Sequence, residues 1–155
     1  MLGIIFALFY LSMPSNAAAC SCAVFADNLE RAVALAYARA DVIFLGDAIT
    51  VRNKILRIPP QREAEFYVQG LWKGSILDVV LVRTNIEESA CGYKFRERQS
   101  YLVFGYWDRK RRYLKTSFCE LTRTEAEAKD AIVILDKIKK KSGISGSSEQ
   151  SISQP

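Results

Sequence analysis

Four cysteines carry the chemistry that this chain can do: Cys20 and Cys22, one residue apart, then Cys91 and Cys119 far along the sequence. Ahead of the first pair, 2–11 is almost wholly apolar and Met13-Pro14-Ser15-Asn16 breaks the run. Ala17-Ala18-Ala19 then supplies the A-x-A pattern that a signal peptidase accepts. Cleavage after Ala19 makes Cys20 the mature N-terminus. A terminal cysteine tied down by a disulfide presents a fixed α-amine and a carbonyl, and together those groups can chelate a metal. The amine's ordinary pKa of about 7.7–8.0 lets it give up its proton to a metal at neutral pH.

An even cysteine count in an exported chain points to two disulfides. Three pairings are open, although Cys20 and Cys22 do not easily bond each other across a single residue. A zinc site of the chain's own is not expected, because C-x-C without a second close pair or a histidine is poor metal spacing. The chain has 0 His, which excludes Ser-His-Asp and Cys-His catalysis. Glu87-Glu88 sit on a polar loop as solvated neighbours, and there is no Gly-rich phosphate loop. The reading is therefore not an enzyme, with no cofactor.

The elements that must position the cysteines follow from periodicity. Asp27-x-x-Glu30 opens a helix running to about residue 39, with Leu29, Val33, Ala36 and Ala40 on one buried face. Residues 41–51 read as a central strand, apolar on both faces except at Asp47, with Gly46 as a bend or bulge. Pro59-Pro60 belongs to a stiff connection, 57–60. Residues 63–72 alternate, with Ala64, Phe66, Val68 and Trp72 to one side. Lys73-Gly74 turns the chain into a third strand, 77–83. A fourth follows at 101–107 and a fifth at 113–116. Thr124-x-x-Glu127 opens a second helix, carrying Ala128, Ile132, Leu135 and Ile138 inward and closing on Lys137 and 139–141. The expected organisation is a signal peptide at 1–19, one domain at 20–141 and a disordered tail at 142–155. Five strands with a helix on either side predict a mainly β domain, a five-stranded OB-type barrel, with a flattened sandwich as the competing architecture.

Cys20-Ser21-Cys22, the Trp72-Lys73-Gly74 turn, Glu88-Ser89-Ala90-Cys91-Gly92-Tyr93, Tyr101-Leu102-Val103 and Cys119 occur in one order. That order resembles the netrin-like module, and most closely the N-terminal domain of the tissue inhibitors of metalloproteinases. The resemblance implies an OB-type barrel and the pairings Cys20–Cys91 and Cys22–Cys119. It also implies a secreted inhibitor of zinc metalloproteases. The Cys20 amine and carbonyl would ligate the protease's catalytic zinc, Ser21 would enter the specificity pocket, and Cys22, Ser89 and Ala90 would line the contact. The alternative is a non-inhibitory binding module for a protein or polyanion.

Arg109-Lys110-Arg111-Arg112 and the lysines of the last helix contribute to a net charge of +5. Such a surface suits an anionic glycan or a lipid headgroup; export argues against nucleic acid. A monomer in the extracellular or periplasmic space is the expected state. A lipid anchor at Cys20 is the minority alternative, since a small residue before a cysteine also resembles a bacterial lipoprotein signal, with Ala17 where Leu usually stands.

Overall fold

A computed structural model describes residues 20, 22, 27–110 and 112–147; the expected leader, Ser21, residues 23–26, Arg111 and residues 148–155 lie outside them. The elements run α1 (Leu29–Arg39), β1 (Val42–Lys54), β2 (Gln61–Lys73), β3 (Val79–Asn85), a 3-10 turn (Glu88–Ala90), β4 (Ser100–Trp107), β5 (Leu114–Lys115), β6 (Arg123–Thr124) and α2 (Lys129–Ser147). The strands form one six-stranded sheet in the order β1-β2-β3-β5-β4-β6, and β1 pairs with β4 as well. The β3–β5 pair is parallel and the remaining pairs are antiparallel.

This corrects the expected five-stranded OB-type barrel of the netrin-like kind. The sheet is mixed, it has six strands, and the expected strand 113–116 shrinks to Leu114–Lys115. The sixth strand, Arg123–Thr124, is two residues long and has no periodicity to read. Its existence depends on Tyr101 and Leu102 of β4 lying opposite.

Two hydrophobic cores flank β1 and β4, which explains why both strands are apolar on both faces. One holds Phe44, Phe66, Phe95, Tyr93, Tyr101 and Leu114. The other holds Val33 of α1, Ile43, Leu102, Phe104 and Leu135 of α2. Gly46 does mark a register shift, since Leu45 pairs Gly70 while Gly46 pairs Val68. The extra residue is Gln69, on the partner strand. Trp72 and Ile49 are skipped in the same way. Each skipped residue flips the alternation beyond it. As a result Trp72 does not share the side of Ala64 and Phe66: Leu71 packs on the first core, whereas Trp72 packs on the helical one. Asp47, the one carboxylate in β1, is held across both neighbours, accepting from Ser100 Oγ at 2.5 Å and Gln69 Nε2 at 2.6 Å.

The helices are tethered to β2 by polar contacts. Asn28, not Asp27, caps α1, its side chain accepting from the Arg31 N–H. Leu29 stays exposed rather than buried. Lys73 Nζ donates to the Tyr37 and Ala38 carbonyls at the open end of α1, at 2.6 and 3.2 Å. Trp72 Nε1 donates to Asp136 and Lys139 Nζ to the Leu71 carbonyl, fixing α2. The Thr124–Glu127 contact forms, with Thr124 Oγ1 donating to Glu127 at 2.8 Å. Thr124 itself belongs to β6, and α2 starts at Lys129 and continues to Ser147. Among the described residues no helix is long and apolar enough to cross a membrane.

Candidate functional site

The cysteines sit together beyond the end of β3. Cys20 is bridged to Cys91 and Cys22 to Cys119, with Cα separations of 5.2 and 5.1 Å. The two bridges lie side by side: Cys20 Sγ is 3.5 Å from Cys119 Sγ, which is 3.8 Å from Cys91 Sγ. A compact loop presents Cys91. The backbone N–H groups of Ala90 and Gly92 donate to the Glu87 carbonyl, and Asn85 Nδ2 donates to the Ala90 carbonyl at 2.6 Å. Cys91 itself has φ 59. Glycine follows because there is no room for anything else: a Cβ at residue 92 would collide with the carbonyl oxygens of Asn85 and Glu87. Ser89 and Ala90 are exposed on this loop beside the Cys20–Cys91 bridge.

A cleft of about 760 Å³ opens next to the bridges. Tyr93, Tyr101 and Phe118 line it with rings, and Lys94, Arg96 and Arg123 bring cations; Glu88 and Glu127 are its carboxylates. The link to the bridges is direct, since the Phe118 N–H donates to the Cys91 carbonyl at 2.9 Å. Arg123 lies over the Phe118 ring, 5.2 Å from its centroid, and its guanidinium donates to the Thr122 carbonyl at 2.6 Å. Lys94 and Arg96 point away from the core and are exposed. Two hollows between α1 and α2, of about 500 and 350 Å³, have no aromatic lining.

The tyrosines are poor acids here. Burial, helped by the neighbouring Tyr101 hydroxyl and the Glu127 carboxylate, pushes Tyr93 up to about 12 against the attraction of Arg123. Burial also raises Tyr101, although its oxygen accepts from the Arg96 N–H at 2.8 Å. Both remain neutral hydrogen-bonding groups in any physiological medium. A raised pKa means that the folded state holds the proton more tightly than the unfolded chain does. The stabilisation is present below about 10 and is lost as pH rises through about 12. In an alkaline titration followed by the phenolate absorbance, Tyr93 and Tyr101 should ionise only together with unfolding. A single transition near the ordinary tyrosine value, with the fold retained, would contradict this.

The basic run lies elsewhere. Because β3 and β5 are parallel, with Val82 opposite Leu114 and Arg83 opposite Lys115, the segment entering β5 sits at the start of β3. The cysteines lie past the end of β3, so the two regions occupy opposite ends of the sheet. Asp108 organises the run, accepting from the backbone N–H groups of Lys110, Arg112 and Tyr113 at 3.3, 2.5 and 3.3 Å. Burial works against its charge, but these N–H groups and the Arg112 guanidinium outweigh it and hold its pKa below the ordinary value. Arg112 is thus turned back toward Asp108, at 3.7 Å, while Arg109 and Lys110 are exposed.

Neither a family model nor a curated protein matches the chain. The resemblance to the netrin-like module and the metalloproteinase inhibitors is overturned by the mixed six-stranded sheet, and it no longer supports the contact roles it implied for Ser21, Ser89 and Ala90. The zinc-chelating inhibitor mechanism is corrected too. The metal-type grouping among the described residues is a sulfur triad, Cys20, Cys22 and Cys119, within 4.8 Å of one another. That donor set belongs to the chain itself and is unrelated to a terminal amine and carbonyl offered to another protein's zinc. Its sulfurs are joined in the two bridges, and a metal site needs thiolates.

From sequence, Tyr93 and Tyr101 stand out only as parts of the family resemblance and Arg96 only as one of the chain's many cations; Lys94, Phe118 and Arg123 do not stand out, and no cleft is foreseen. A signal was there: Tyr93-Lys94-Phe95-Arg96 alternates aromatic and cationic residues, and the structure buries the two rings and exposes the two cations.

Proposed function

We propose that this chain is a non-catalytic binding domain of an oxidising, extracytoplasmic compartment, and that the cleft beside the bridges takes an acidic glycan. The observation that carries this reading is the pairing of an aromatic floor with exposed cations in one concavity of about 760 Å³. Pockets of about 300–1,000 Å³ are the usual size for small ligands. The flat face of a sugar ring can stack on Phe118, which is 51 % exposed, while Lys94 and Arg96 reach a uronate or sulfate group. Charge-assisted contacts of this kind are the strong ones. Tyrosine hydroxyls held neutral suit them to hydrogen bonding rather than to proton abstraction, which favours binding over catalysis. Two bridges beside the cleft favour export.

Calorimetric titration with a galacturonate hexasaccharide and a heparin-derived hexasaccharide tests the reading. At low salt at least one should bind, more weakly as salt rises. Lys94→Ala with Arg96→Ala should weaken binding roughly tenfold, the loss expected for two charge-assisted contacts at an open site. Arg109→Ala with Lys110→Ala should leave it unchanged. The reverse pattern would move the ligand to the Asp108 turn, and no binding of either sugar would end the proposal.

A further inference from the structure

The turn between β1 and β2 carries the two most exposed aliphatic side chains among the described residues, with a third beside them. Ile58 is 100 % exposed, Leu56 96 % and Ile55 71 %, with Pro59 and Pro60 completing the tip. These residues are not among those lining the cleft and contribute to neither core. The turn stands clear because β1 and β2 stay paired out to Lys54 and Gln61. Arg57 within the turn and Arg52, Lys54 and Arg62 behind it form a collar of cations that exceeds its carboxylates. Lys54 and Arg57 share the single Glu63, Arg62 donates to Asn53 Oδ1 at 3.2 Å and to the Tyr93 carbonyl at 2.8 Å, and Arg52 is exposed. The carboxylates at that level are already engaged. Glu63 faces Arg83 at 2.7 Å, Arg57 at 3.7 Å and Lys54 at 3.8 Å. Glu97 accepts from the Val51 N–H, and Glu65 from the Thr50 hydroxyl.

We infer that this tip docks on an anionic lipid bilayer, with Ile55, Leu56 and Ile58 entering the headgroup–acyl boundary and the collar meeting the phosphates. The shape decides between occupants. A convex point of three aliphatic side chains offers a protein partner little area, whereas a bilayer accepts a point at any orientation. A ring of cations one step behind the apolar residues matches the order of layers in an anionic membrane, and each basic side chain near the surface adds attraction. The inference is independent of the cleft and survives its failure.

Flotation with phosphatidylcholine vesicles, with and without phosphatidylglycerol, reads the outcome directly. The protein should float with the phosphatidylglycerol vesicles, less so at high salt. Leu56→Asp with Ile58→Asp should lower the partition coefficient by about a hundredfold, since each buried aliphatic is worth roughly a factor of ten or more. Both side chains are solvated, so the variant should melt with the parent protein. Leu77→Asp, at a leucine 82 % exposed elsewhere on the surface, should keep binding, as should Lys94→Ala with Arg96→Ala. Failure of the unaltered protein to float, or equal flotation of the tip variant, overturns the inference. So does a change from dimer to monomer in the tip variant, which would make the tip a contact between copies.

Discussion

Phe66→Ala should destabilise the domain by about 4 kcal/mol, the middle of the range for deleting a fully buried phenylalanine. Phe66 is 0 % exposed and meets three other rings: Phe95 at 5.1 Å, Phe44 at 5.6 Å and Tyr101 at 6.1 Å, each edge to face. Truncation removes the transfer energy of the ring, leaves a cavity and forfeits edge contacts worth about 0.5–1.5 kcal/mol apiece. Collapse around the gap is restricted, because Phe95 and Tyr101 are themselves locked to each other at 5.1 Å and to Tyr93. The same rings underlie the cleft, so sugar affinity should fall as well. Urea unfolding checks the first effect: the midpoint should drop with the slope unchanged. A loss under about 2 kcal/mol would mean that the ring cluster closes up after all.

The second large effect concerns the bridges. Cys22 and Cys119 stand 97 residues apart in sequence, but Cys20–Cys91 is already a shortcut. The path runs from Cys22 back to Cys20, across that bridge, and 28 residues on to Cys119. A loop of about 30 residues is worth up to roughly 3.7 kcal/mol in the chain-entropy account. Cys22→Ser with Cys119→Ser should therefore cost about 3–4 kcal/mol and leave a folded protein. Reducing both bridges should remove about 8 kcal/mol, which is comparable with the whole stability of an ordinary domain. Unfolding curves of the parent, the double serine variant and the reduced protein make the comparison. If the double variant lost as much as the reduced protein, the two bridges would not be nested in this way.

How much of this was legible beforehand differs by element. The helix α1 was, because Val33 and Ala40 have the spacing of a buried stripe; its cap was displaced by one residue, from Asp27 to Asn28, since either side chain can serve. The two-faced burial of β1 and the irregularity at Gly46 were legible too. The skipped residues Ile49, Gln69 and Trp72 were not, because a bulge is a property of two strands and only one can be read at a time. For the same reason β6 and the parallel partnership of β5 were invisible, and of the cleft only the alternation at 93–96 could be read: each depends on which distant segments meet. The misassigned family has a related cause. A few short motifs in order describe cysteine spacing and turns, and neither defines how strands are joined.

The three skipped residues have a consequence for the hairpin itself. In an ordinary hairpin the turn fixes which residues face each other. Here Ile49, Gln69 and Trp72 lock the alignment of β1 and β2 well away from the tip. The residues from Ile55 to Pro60 are therefore released from that duty. They form an interchangeable cassette, whose sequence can be rewritten for a new surface while the scaffold beneath keeps its alignment.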